Sequence, residues 1–245
     1  MIDIEDHDGI AVLTLRHGPV NALDLELLTA VPDTLTAVAG ARAVVLTGSG
    51  RSFSAGVDLK RIVEGGPRYV ERFLPALSLA MLTLFEHPKP AVAAVNGHAL
   101  AGGCVLAAAC DVRLMSGGTI GLTEVAAGVP FPSVPLEIMR HAVGPALDTM
   151  VLGAGRLAPG QAASIGLVHE VVEPEQLMTT ALARAEALCA APPDVYALAK
   201  HQLHRPARER IATGEPTDES TVQEIWSSER THRTLRDYLA SLRRS

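Results

Sequence analysis

PAVAAVNGHALAGGCVLAAACDVRLM, residues 90–115, is the stretch that decides the fold. Its AVAAV run, 91–95, is a continuous apolar segment of strand length, the pattern of a strand buried on both faces. Asn96-Gly97 follows as a turn. GCVLAAAC, 103–110, is built of small apolar residues and reads as a central helix; VRLM, 112–115, reads as the next strand. A strand, a helix and a strand in this order indicate parallel pairing and an α/β fold.

The same alternation extends outward. AVVLT, 43–47, is another β-rich run buried on both faces. IAVLTLR, 10–16, reads as a strand that residues 2–5 can join across a turn at 7–9. Leu23, Leu27, Leu28 and Leu35 place a helix over 22–39, in which Pro32 forces a kink or break. A helix is expected over 69–86, ending at HPKP. Beyond the central stretch, 135–153 reads as one or two helices broken near Gly144-Pro145, 159–165 as a short helix and LVHEVV, 167–172, as a strand. From 174 onward the chain reads as helices over 175–191, 194–204, 218–228 and 229–243. The reading is thus a core over 1–190 and a helical region over 191–245, acting as a cap or an oligomerisation arm. No repeat of fixed period and no low-complexity tract is present.

Composition narrows the class. The 245 residues are 48% hydrophobic but only 3% aromatic, so the core must be built from Ala, Val, Leu and Ile. A net charge of −6 argues against a general nucleic-acid binder. Cys104, Cys110 and Cys189 form no CxxC pair and read as free thiols in a reducing compartment. No apolar run is long enough to span a membrane, and MIDIEDHDG lacks the features of a signal peptide. The expectation is a soluble cytoplasmic protein. Nine of the 21 Lys and Arg residues lie at or beyond Lys200, making the tail basic.

Three segments can carry chemistry. FSAGVDL, 53–59, and NGHALAGGC, 96–104, are small-residue turns whose backbone N–H groups no bulky side chain shields. Two such donors facing one point make an oxyanion hole. GLTEVAAGVP, 121–130, sets Glu124 among apolar residues, where desolvation by Leu122 and Val125 would raise its pKa. Taken singly, Gly-rich turns are more often structural, and a lone Glu is more often an exposed loop residue. Asp58 and Asp111 read as capping or turn residues and His98 as a spacer. Ser54 and Ser133 lack a GxSxG context. Nine histidines and three cysteines show no metal spacing, so no metal is expected.

In this order the segments resemble the crotonase superfamily, the enoyl-CoA hydratase/isomerase family. The resemblance runs through Asn21-Ala22-Leu23, VLTG (45–48), FSAGVDLK (53–60), PAVAAVNGHALAGGC…CDVRL (90–114), IGLTE (120–124) and QAASIGLVHEVV (161–172). It implies a crotonase fold, a repeated β-β-α superhelical core with a C-terminal helical region. It implies an acyl-CoA thioester as substrate and no separate cofactor. The N–H groups of Val57 and Gly102 would hold the thioester oxygen and stabilise its enolate. Ala22, Leu23, Asp58, Leu59 and Lys60 would lie along the CoA arm, although Lys60 reads equally as a solvated surface lysine. It also implies a homotrimer or homohexamer.

The carboxylates select the reaction. Hydratases of the family resemble one another in carrying two glutamates, one directly after the GGC turn and one about twenty residues on. Here these positions hold Val105 and Glu124. A single base suits a double-bond shift of the Δ3,Δ2-enoyl-CoA isomerase kind. A hydratase is the second reading, with Glu137 as the substitute carboxylate. A non-catalytic acyl-CoA-binding protein is the third. Val129-Pro130-Phe131-Pro132-Ser133-Val134-Pro135 departs from the family pattern and alters the acyl pocket. Trp226 reads as an ordinary core or interface residue. Leu235, Tyr238, Leu239 and Leu242 form an apolar stripe on the last helix, covered equally well by its own domain or by a neighbour.

Overall fold

Three successive strand–strand–helix units build the centre of the computed structural model, which describes residues 1–214 and 216–242. The first is β3 (Ala43–Gly48), β4 (Ser52–Ser54) and α2 (Leu59–Phe85), following β1 (Ile2–His7), β2 (Ile10–Leu15) and α1 (Leu25–Ala37). The second is β5 (Ala91–Val95), β6 (His98–Leu100) and α3 (Gly102–Ala108). The third is β7 (Val112–Met115), β8 (Ile120–Gly121) and α4 (Glu124–Ala127). In each unit the first strand enters one sheet and the second enters another. The larger sheet has the order β1-β2-β3-β5-β7-β10, where β10 is Glu170–Val171. The smaller has the order β4-β6-β8-β9, where β9 is Arg156–Leu157. β2, β3, β5, β7 and β10 pair in parallel, and β1 joins β2 antiparallel.

The central strands β2, β3 and β5 of the larger sheet are buried on both faces, which explains their unbroken apolar runs. Leu13, Leu15, Val44, Leu46, Ala93 and Val95 face the main core beneath α1, α2 and α3. Val12, Val45, Val92 and Ala94 face the other way, onto Leu177, Ala181 and Ala185 of α8 (Leu177–Leu188). The alternation is the period-2 geometry of a strand, here with apolar residues on both sides.

The remaining helices close the molecule. α5 (Ser133–Val143) leads through a 3₁₀ turn at Gly144–Ala146 into α6 (Leu147–Gly153), the break expected at Gly144-Pro145. α7 is Pro159–Ser164, α9 is Pro193–Thr213, α10 is Pro216–Ser227 and α11 is Glu229–Leu242. α9 packs on α5, while α10 and α11 both pack on α2, and α11 also meets α4. Of the expected last helix, residue 243 and the Leu242 side chain lie outside what is described.

Several expectations from periodicity change. Pro32 does not break α1, which runs thirteen residues through it, and Pro206 lies inside α9. In both, the buried face continues across the proline: Leu28, Val31 and Leu35 in α1, and Lys200, His204 and Ala207 in α9. Tertiary packing outweighs the local penalty of about 3 kcal/mol for an interior proline. α2 begins at Leu59 rather than near 69, with its irregularity at Gly66, where φ is +64°. The strand over 167–172 shrinks to Glu170–Val171. FSAGVDL and NGHALAGGC are not turns alone; each opens with a strand of the smaller sheet.

Candidate active site

The two Gly-rich segments meet because their backbones need each other's missing side chains. Gly56 has φ +84°, and a Cβ there would stand 2.5 Å from the Leu100 carbonyl oxygen and 3.2 Å from the Gly102 nitrogen. A Cβ on Gly103 would run into the Ser54 carbonyl. The turn after β4 is therefore pressed against the turn after β6, as only glycine permits.

Two backbone donors result. Leu23 forms an isolated parallel bridge with Val57: the Leu23 N–H donates to Gly56 O at 2.8 Å, and the Asp58 N–H donates to Leu23 O at 2.9 Å. In a parallel bridge, one residue bonds to both neighbours of its partner. The N–H of Val57 itself thus points away from Leu23, and Val57 lines the cleft. Gly102 is the first residue of α3, and its N–H has no partner within the helix. Ala101 just before it is held at φ +51°, a strained conformation for a residue with a Cβ.

Asn21 holds this corner together. It is fully buried, its Nδ2 donates to Ser52 O at 3.0 Å and Phe53 O at 3.2 Å, and its Oδ1 accepts from the His17 N–H. The Ser54 hydroxyl donates to Asn21 O. The Leu23 side chain is fully buried and packs beneath Gly102. Its contribution is to position the two turns.

Glu124 opens α4 and is 8% exposed. Its Oε2 has no hydrogen-bond partner. Desolvation pushes its carboxyl up to about 7, partly opposed by the backbone N–H groups of Glu124 and Thr123. Of its sequence neighbours, Leu122 is fully buried and Val125 is 44% exposed. The remaining shield comes from residues distant in sequence, Phe131 and Trp226 among them, which share a pocket with Glu124.

The space around these groups has two parts. An outer cleft of about 540 Å³ is lined by Ala22, Val57, Asp58, Leu59, Lys60 and Glu124, among others. That volume falls in the ordinary range of small-molecule sites. Lys60, which pairs loosely with Glu64 at 3.7 Å, stands there, as do His17 and Arg156. An inner pocket of about 20 Å³ is bounded by Val57, Gly102, Val105 and Glu124 on one side and by Phe131 and Trp226 on the other. Val105 is fully buried. Glu124 is the one carboxylate on the walls of this inner pocket among the described residues.

The other candidates have structural partners. Glu137 is ion-paired with Arg140 at 3.1 Å and with Arg210, joining α5 to α9, and lines neither space. Asp58 caps α2, accepting from the Arg61 N–H at 3.1 Å, while its residue also lines the outer cleft. Asp111 accepts from the Ala91 N–H, the Tyr196 hydroxyl and Lys200. The His98 Nδ1 accepts from the Thr119 N–H. No cluster able to hold a metal occurs among the described residues, and none of their helices is long and apolar enough to cross a membrane.

Sequence reasoning missed the contribution of the C-terminal helices. Trp226, Tyr238 and Leu239 line the outer cleft, and Leu235 is fully buried. Of the apolar stripe, Leu235 is thus covered within this chain, while Tyr238 and Leu239 are half-buried at the cleft wall. The available signal was Trp226 itself, the single tryptophan, set with Val222 and Ile225 in a helix of mostly polar residues.

Comparison with known proteins places this geometry among relatives. A family model described as enoyl-CoA hydratase/isomerase matches residues 5–243. Enoyl-CoA delta isomerase 1, mitochondrial, of Homo sapiens is 29% identical over 243 residues, covering 96% of this chain and 80% of that protein. A putative enoyl-CoA hydratase of Thermus thermophilus is 40% identical over 196 residues, covering 77% of this chain and 76% of the other. The crystal structure of human mitochondrial delta3-delta2-enoyl-CoA isomerase superposes with a TM-score of 0.93 at 28% identity, over 99% of this chain and 98% of that one.

Proposed function

This chain belongs to the enoyl-CoA hydratase/isomerase family and has the crotonase fold, and within that family we propose that it moves the double bond of a 3-enoyl-CoA into conjugation with the thioester. The thioester carbonyl sits between the N–H groups of Val57 and Gly102. Glu124 takes a proton from C2, and the electron pair shifts onto the carbonyl oxygen as an enolate. The two donors hold that negative charge; each such donor contributes about 3–4 kcal/mol of transition-state stabilisation. Glu124 then returns the proton to C4, leaving a 2-enoyl thioester. One C–H bond breaks and one forms, so the step asks for no further reactant. The CoA arm leaves through the outer cleft past Ala22, Asp58, Leu59 and Lys60.

The observation that carries this reading is Glu124 alone beside Val105 in the inner pocket. Hydration needs a second group to hold water and supply a proton, and valine does neither. The similarity to a protein named as a putative hydratase favours hydration as the second reading. Against it, Glu137 is engaged by two arginines away from the pocket. A carboxylate desolvated beside two backbone donors also exceeds what acyl-CoA binding alone requires. The assembly we propose is a homotrimer or homohexamer, checked by light scattering.

The deciding experiment offers purified protein a 3-enoyl-CoA and follows the ultraviolet absorbance of the conjugated thioester. Activity in the wild type and a fall of about 10²–10⁴-fold in Glu124→Gln are expected. Rapid hydration of crotonyl-CoA by the wild type, without isomerisation, would replace this reading with the second one.

A further inference from the structure

The inner pocket has room for about one water-sized group. Its far wall is rigid. Pro130, Pro132 and Pro135 restrict the loop that carries Phe131. Trp226 is 2% exposed, and its Nε1–H donates to Pro130 O at 2.9 Å, tying α10 to that loop. Behind the indole stands Phe73, fully buried, with ring centroids 6.3 Å apart. The floor, Leu77, Met81 and Val105, is closed as well.

A thioester whose C2 and C4 both reach Glu124 stands where the outer cleft meets the inner pocket, at the Val57 and Glu124 walls that the two share. An acyl chain that continues inward from there, toward the Pro130–Pro132 loop, meets this one small volume. From it we propose that the Pro130–Pro132 loop and Trp226 act as a stop for the acyl chain, restricting the protein to short 3-enoyl thioesters of about four or five carbons. The proposal deepens the isomerase reading and rests on it for the position of the thioester. The proline-rich departure from the family pattern then has a use: it fixes where the acyl chain ends.

The test separates binding from turnover. Affinities of butyryl-CoA and octanoyl-CoA are measured by calorimetry, which needs no reaction, and kcat/KM is measured for 3-butenoyl-CoA and 3-octenoyl-CoA. The wild type is expected to favour the four-carbon chain by at least about 10-fold in both measurements. Phe131→Ala and Trp226→Ala are expected to bring the two lengths within about 3-fold, by raising the longer one. Phe131 is only half-buried, so its variant remains informative if Trp226→Ala fails to fold. Equal handling of both lengths by the wild type would overturn the stop, as would an unchanged preference in a folded variant. A length limit in binding with no isomerisation would keep the stop and sink the isomerase reading instead.

Discussion

Glu124 and Glu137 are equally buried, each 8% exposed, and stand thirteen residues apart on neighbouring helices. They differ in company. Glu137 is clamped by Arg140 and Arg210, so its charge is matched and its two oxygens are occupied. Glu124 faces Val105 and Phe131 in the inner pocket, with Oε2 unpartnered and its carboxyl pushed up to about 7. Burial alone therefore does not make a reactive carboxylate. Burial without a counter-charge does, because only then is the proton held with an affinity suited to exchange near neutral pH.

The sharpest way to break this contrast is to neutralise each glutamate in turn. Glu124→Gln is expected to lower kcat about 10²–10⁴-fold, whereas Glu137→Gln is expected to leave kcat per folded molecule unchanged. Comparable losses in steady-state assays of both would erase the distinction.

The next effect is on stability against pH. Because the folded Glu124 carboxyl titrates above its unfolded value of 4.5, the folded state binds the extra proton between pH 4.5 and about 7. Its contribution to stability is thus fully present below 4.5 and is lost as pH rises through about 7. Urea unfolding should show Glu124→Gln gaining on the wild type across that window, by about 3 kcal/mol at pH 8. Activity should move oppositely, kcat/KM rising as the base deprotonates near pH 7. A flat stability difference from pH 4 to 8 would mean that the carboxyl is not desolvated.

Glu137→Gln should instead lower stability, because it breaks the ion pairs to Arg140 and Arg210. Both arginines are partly exposed, so the loss should be about 1–2 kcal/mol, less than for a fully buried pair. Chemical denaturation at pH 7 measures it, and a neutral result would reduce the α5–α9 clamp to a surface contact. The smallest expected effect comes from Val105→Glu, which places a second carboxylate beside Glu124. Like charges should push the rising limb of the activity profile to higher pH, and a trace of crotonyl-CoA hydration should appear. If the folded variant shows neither change, position 105 does not face the reacting atoms.

The larger sheet was legible from residues because AVVLT and AVAAV are buried on both faces, and that burial leaves a continuous apolar signature. The smaller sheet was not. Its strands at Ser52–Ser54, His98–Leu100, Ile120–Gly121 and Arg156–Leu157 are two or three residues long, too short to express any period. Only the family resemblance implied the repeated β-β-α units. Helix ends at prolines were misjudged for a related reason. Pro206 signals a stop locally, but the face of α9 that packs on α5 continues past it.

By itself the sequence determined the α/β class and the parallel pairing of its strands. It also located the two glycine-rich segments and, through the family resemblance, the single glutamate where hydratases of the family carry two. These follow from local composition and from the order of the matched motifs along the chain. The tertiary structure alone brought Val57 and Gly102 to the walls of one inner pocket. It alone decided that Glu137 is engaged elsewhere, and that Trp226 and Tyr238, about a hundred residues beyond Glu124, line the space into which it opens. Desolvation and pairing depend on which atoms approach in three dimensions, and contacts between residues so far apart along the chain leave no periodic trace in it.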